Sequence, residues 1–210
     1  IEDFVTQLLE VVEAVGFDRP DVAGLSMGGM ITLAAAARHP EAFRRIALLN
    51  TVFRRTPEQL AGHRERLAAT GAAGMAVVAD MAIDRWFSAD RHATHATETC
   101  TVRDRILAND LGAYLKAYRV FVDGDPLMPA GASQVTATTL ALTGELDPGS
   151  TPAMGDALAG AIPDCSTRVL PGLHHLPPVE APAEFVAALL DFLDSPRVST
   201  TPEPAREATR

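Results

Sequence analysis

The chain has 210 residues, 47% of them apolar and 21% charged, which suits one domain with a full hydrophobic core. A formal net charge of −9 and a pI of about 5.1 argue against nucleic acid or an anionic membrane as a partner. Two cysteines, Cys100 and Cys165, are too few for a disulfide framework and fit no metal or redox spacing. Reduced, buried thiols in a cytoplasmic protein are therefore the expectation.

Residues 3 to 15 read as an amphipathic helix, with Phe4, Leu8, Val11, Val12 and Val15 on one face and Gly16 as its stop. After a short connection, Asp21 to Leu25 reads as a buried strand. It ends in Gly24-Leu25-Ser26-Met27-Gly28, a Gly-x-Ser-x-Gly turn running into an Ala-rich helix from about Gly28 to Arg38. Strand, sharp turn and helix are what a nucleophilic serine needs to stand clear of a sheet. Gly24 and Gly28 are expected to let strand and helix pass close together. The Met27 N–H, free at the helix start, is expected to face a developing oxyanion.

Arg44 to Asn50 reads as a second buried strand, so strand, helix and strand form a right-handed βαβ unit in a parallel sheet. Arg44, Arg45, Arg54, Arg55, Arg64 and Arg66 cluster in this region with acidic residues among them, which reads as a solvated face. From 51 to 133 helical periodicity dominates, notably over 73 to 87 and 110 to 122. This region is expected to be a cap of helices inserted between sheet strands. No apolar run in the chain reads as long enough for a membrane span.

The sheet returns at Thr136 to Thr143, followed by Gly144-Glu145-Leu146-Asp147-Pro148 and a helix over about 152 to 161. Ser166 to Leu170 reads as the last strand and Pro171 to Pro178, with His174 and His175, as a loop. Residues 183 to 193 read as a terminal amphipathic helix, and the Pro- and Thr-rich stretch 195–210 as a disordered tail. The expected organisation is a partial core with the serine turn at 1–50, a helical cap at 51–133, a second part of the core at 134–194, and the tail.

A serine hydroxyl needs a base, and the base needs an orienting acid. Asp147 and His175 each lie in a loop just after a strand, the edge of an open parallel sheet on which the serine turn also sits. Their order, Ser26, Asp147, His175, is that of one known triad arrangement. Glu145 is a rival acid and His174 a rival base.

Gly24 to Met30, Leu142 to Asp147 and Leu170 to Leu176 together resemble the nucleophile elbow, acid and histidine motifs of the α/β-hydrolase superfamily. The resemblance implies an α/β fold, mostly parallel sheet with flanking helices and a helical cap. The family pattern Pro-Gly-x-Gly-His-x-x-x-x-Glu aligns Pro171, Gly172, His175 and Glu180, which picks His175 as the base and puts His174 where a glycine is common. Leu48-Leu49-Asn50-Thr51 and Asp84-Arg85-Trp86-Phe87 are most similar to the 3-oxoadipate enol-lactonase branch, with Trp86 as a pocket wall.

The family places further strands and a second oxyanion donor ahead of the residues matching Ile1, about 70 residues at ordinary element lengths. The sequence thus looks N-terminally truncated, its front strands missing, and an isolated chain of this length is expected to be poorly soluble and inactive. The resemblance implies a serine hydrolase of small carboxylic esters or enol-lactones, with Ser26, Asp147 and His175 as triad and Met27 N–H in the oxyanion hole. No cofactor or metal is implied, and the partner is a small-molecule ester or lactone. The alternatives are a cofactor-free perhydrolase, a C–C bond hydrolase on the same triad, or a non-catalytic ligand-binding homologue.

Overall fold

The computed structural model describes residues 1–195, apart from the side chains of Ala89, His92 and Ala93. The expected disordered tail lies outside the described residues from Pro196 onward. Helix α1 (Glu2–Ala14) precedes strand β1 (Asp21–Leu25), helix α2 (Met27–Arg38) and strand β2 (Arg45–Leu49). Helices α3 (Pro57–Trp86), α4 (Ala89–Thr94), α5 (Ala96–Leu107), α6 (Leu111–Gly124) and α7 (Met128–Ala132) follow, with a 3-10 turn at Asp125–Leu127. The chain then returns to the sheet with β3 (Thr138–Gly144), α8 (Pro152–Ala159), β4 (Cys165–Leu170), α9 (Pro177–Glu180) and α10 (Pro182–Asp194).

The four strands pair in sequence order, all parallel, with Gly24 opposite Leu48 and Leu48 opposite Ala141. Each crossover therefore leaves its connecting helix on a face of the sheet and brings the C-terminal ends of the strands to one edge. Side chains alternate across β2, so Ile46 and Leu48 face one layer while Ala47 and Leu49 face the other. The first layer packs with Val5, Met30, Leu33, Ala141 and Leu158, drawn from α1, α2, β3 and α8, and with Phe43 of the connection before β2. The second packs against Leu140, Leu142, Phe185, Ala188 and Phe192, most of them from α10. Each large apolar side chain so buried is worth about 1.5–3 kcal/mol.

Helix α3 starts at Pro57, within the 51–133 stretch expected to be helical and ahead of its clearer pattern at 73–87. Thr56 caps it, its Oγ1 accepting from Gln59 N at 3.2 Å while Gln59 Oε1 accepts from Thr56 N at 2.8 Å. Gly74, at φ 78°, breaks the helix into two pieces. By length and composition Pro57–Trp86 is apolar enough to cross a membrane, contrary to the expectation of no such run. The break divides it into pieces each shorter than the ~20 residues a span needs, and Val78, Ala79 and Ala82 pack with Ile106 of α5.

Two further expectations fail. Both cysteines are free, but Cys100 is exposed and Cys165, packed against the core, is only half-buried, so neither is the fully buried thiol expected. The arginine cluster is not one solvated face, because Arg45 and Arg55 are buried. Arg55 lies over the Phe121 ring, 4.1 Å from its centre, and its Nη2 donates to Phe121 O at 2.8 Å. Its Nε is 4.0 Å from Asp125 Oδ2, with both side chains 1% exposed.

Candidate active site

Ser26 is the last residue before α2 and holds φ 55° and ψ −115°, a conformation that costs a non-glycine residue about 1–3 kcal/mol. Its N–H donates to Leu49 O at 2.8 Å, which ties the turn to the end of β2. A Cβ on Gly24 would fall 2.3 Å from Gly28 O, so strand and helix do cross tightly there. Gly28 itself has open space where its Cβ would be, contrary to expectation; the second tight position is Gly29, whose Cβ would lie 1.8 Å from Thr51 Oγ1. The α2 axis carries Gly29, not Gly28, against the chain leaving β2.

Asp147 and His175 come to Ser26 from the loops after β3 and β4. Those loops are laced together, with Glu145 N donating to Leu170 O at 3.0 Å and Leu146 N to Leu173 O at 2.8 Å. His175 Nε2 lies 3.2 Å from Ser26 Oγ, and His175 Nδ1 lies 2.7 Å from Asp147 Oδ2. An ionised carboxylate only accepts, so Nδ1 carries the proton and Nε2 is left to accept from the serine hydroxyl. The Met27 N–H, at the first position of α2, has no intrahelical acceptor.

Burial, the strongest influence on Asp147, raises its carboxyl. The hydrogen bond and charge of His175, together with Asn50 and Ser150 N–H, outweigh it and hold the group below the ordinary carboxylate range. Asp147 Oδ1 accepts from Gly149 N at 2.8 Å and Ser150 N at 3.0 Å. Asn50 Nδ2 donates to Oδ2 at 2.8 Å.

The rivals are otherwise engaged. Glu145 Oε2 accepts from Gly172 N at 2.8 Å and so braces the turn before the histidines. His174 faces Glu180, whose carboxylate also accepts from His174 N at 3.0 Å and Leu176 N at 3.1 Å. Glu180 thereby folds the loop so that successive histidines point apart. Trp86, the last residue of α3, stacks on the His175 ring with centres 5.5 Å apart, and its carbonyl accepts from His175 N at 3.4 Å.

Ser26, His175 and Trp86 open into a cavity of about 520 Å³, within the range of small-molecule sites. Its other wall comes from α3 and α6 and includes His63, Arg66, Arg85 and Tyr118. Neither this polar wall nor the role of Asn50 was read from the sequence. Helical spacing placed 110 to 122 on one helix, but what α3 turns toward it depends on the break at Gly74. Asn50 could have been noticed as a polar residue closing a fully apolar strand.

A profile described as the alpha/beta hydrolase family matches residues 1–188. The chain is 27% identical over 195 residues to an (E)-2-((N-methylformamido)methylene)succinate hydrolase of Acinetobacter baylyi, covering 93% of this chain and 73% of that protein. The crystal structure of the enol-lactonase from Burkholderia xenovorans LB400 superposes with a TM-score of 0.83 at 28% identity, over 92% of this chain and 73% of that one. A thermophilic esterase from Thermogutta terrifontis matches with a TM-score of 0.77 at 25% identity, over 90% of this chain and 70% of that one.

Proposed function

The chain belongs to the alpha/beta hydrolase family, and within that family we propose a serine hydrolase of small carboxylic esters or enol-lactones that works through an acyl-enzyme. Ser26 Oγ attacks the carbonyl carbon while His175 Nε2 takes its proton. Asp147, ionised and fixed by its hydrogen bonds, stabilises the imidazolium that results. The Met27 N–H donates to the oxyanion of the tetrahedral intermediate. His175 then returns the proton to the leaving oxygen. A water molecule, deprotonated by the same nitrogen, releases the acid and restores Ser26.

The observation that carries this reading is the relay of 3.2 and 2.7 Å from Ser26 through His175 to Asp147. The likeness to an enol-lactonase and an esterase supports the choice of small esters and lactones. The test is hydrolysis of short-chain 4-nitrophenyl esters by the protein extended with the front strands that its family carries, the parent here, and by three variants of it. Ser26→Ala and His175→Gln should each lose more than about 10³-fold in kcat, whereas His174→Gln should stay within a few-fold. A larger loss at His174 than at His175 would overturn the assignment of the base.

A further inference from the structure

The backbone N–H groups of His174, His175 and Leu176 are all held by other parts of the chain. Those of His174 and Leu176 donate to the Glu180 carboxylate at 3.0 and 3.1 Å, and that of His175 donates to Trp86 O at 3.4 Å. The Glu180 side chain is only 4% exposed, so water offers these two donors little alternative. His175 is therefore placed from two sides, by α9 through Glu180 and by the end of α3 in the cap.

Glu180 is itself held by the cap. Arg91 of α4 donates through Nη1 to Glu180 O at 2.8 Å and through Nη2 to Val179 O at 2.6 Å. Helix α9 is a single turn, so its last carbonyls lack helical partners. A guanidinium fork there meets two adjacent acceptors and the negative end of the helix dipole. Ser88 sets the start of α4, its Oγ accepting from Arg91 N at 3.2 Å, and Phe87, 2% exposed, anchors the turn between α3 and α4. Arg91 Nε is buried without a partner, so the two carbonyl bonds are what compensates for drawing this group out of water. The stretch from Trp86 to Arg91 thus grips the histidine segment at both of its ends. Arg91 does not line the cavity at Ser26 and has no bond to give a substrate there.

We propose that Arg91 is a positioning residue. By fixing α9 it holds Glu180, and through Glu180 the backbone on either side of His175, so that Nε2 stays within reach of Ser26 Oγ. The cap then sets the base as well as walling the site. This rests on His175 being the base.

The test measures ester hydrolysis by the parent and by Arg91→Gln, Arg91→Lys and Arg103→Gln, the last losing only an exposed pair with Asp80 inside the cap. Arg91→Gln should lower kcat about 10- to 100-fold, the effect of a base displaced by up to about 1 Å, with KM within about twofold. Arg91→Lys keeps the charge but not the fork and should fall between, whereas Arg103→Gln should match the parent. Unchanged kcat in Arg91→Gln, even with a lower melting point, would show a purely structural bond and overturn the proposal. A rise in KM alone would overturn it too.

A second readout needs no substrate. The Trp86 indole, stacked on His175, shifts the imidazole proton signals in NMR by its ring current, and those signals are identified by their loss in His175→Gln. In Arg91→Gln they should move toward the positions of an unstacked histidine, and in Arg103→Gln they should stay. A fallen kcat with unmoved signals would mean that Arg91 does not act through His175, and would overturn the proposal. If Arg91→Gln does not fold, Arg91→Lys is read by the same criteria. If no ester is turned over, the hydrolase reading fails by itself and the NMR signals decide the coupling: moved signals support it, and unmoved signals overturn it.

Discussion

Asn50 Nδ2 donates to Asp147 Oδ2 at 2.8 Å, the same oxygen that receives His175 Nδ1 at 2.7 Å. Asn50 is fully buried at the end of β2 and holds φ 45°, so its position is set by the sheet rather than by solvent. Its amide also reaches His174 O at 3.1 Å, which joins the ends of β2, β3 and the histidine loop at one point. Asn50 thus adds to the hydrogen bond and charge of His175, which do most to keep this buried carboxylate ionised.

Asn50→Ala removes that donor and should let the Asp147 carboxyl rise. A hydrogen bond to a charged group is worth about 1.5–3 kcal/mol, so kcat for ester hydrolysis should fall roughly 10- to 100-fold. The acid limb of the kcat profile should move to higher pH. An unchanged profile with unchanged kcat would mean that Asn50 only fills space.

The crossing of α2 over β2 predicts opposite outcomes at adjacent glycines. Gly29→Ala places a Cβ against Thr51 Oγ1 and should destabilise the fold by about 1–3 kcal/mol, read as a lower midpoint in urea. Gly28→Ala meets nothing within 4 Å and should leave the midpoint nearly unchanged or slightly higher. The reverse order would show that the helix sits differently against the strand.

His63 links the arginine wall to stability. Its folded value of about 4 lies below the unfolded value of 6.5. Between those values the unfolded chain binds a proton that the folded chain does not, so this contribution is full above pH 6.5 and is lost as pH falls toward 4. NMR titration of His63 should give a midpoint near 4 that rises only part of the way in Arg66→Gln, because burial and Arg55, the two larger causes, remain. His63→Gln should flatten the fall in unfolding free energy over the same window.

Much of the fold could be read from short windows. The apolar runs at 44–50 and 136–143 contain β2 and β3, which the parallel sheet covers on both faces, whereas β1, expected to be buried, lies at the edge of the described sheet with only Gly24 buried and Ala23 exposed. Ser26, Asp147 and His175 could be singled out because each sits in a local motif at a strand end. Their meeting follows from parallel connections that bring those ends to one edge.

The rest depends on contacts between distant segments. Arg55 looks like its exposed neighbour Arg54 in sequence, and only the return of α6 with Phe121 and Asp125 buries it. The helices from 57 to 72 and 89 to 107 are rich in polar and small residues, so their packing faces carry little periodicity. Gly28 and Gly29 are alike in sequence, and only the path of the chain after β2 separates them.

The central claim is that Ser26 is a nucleophile activated by His175. Labelling with a fluorophosphonate, followed by intact mass and peptide mapping, tests it most directly because it reads the reactive oxygen and not the choice of substrate. The account predicts one adduct per chain, on Ser26, lost in Ser26→Ala, slowed more than about 10³-fold in His175→Ala, and kept in His174→Gln. Ester hydrolysis by a protein whose Ser26 stays unlabelled, or labelling of Ser26 that is indifferent to His175, would contradict it.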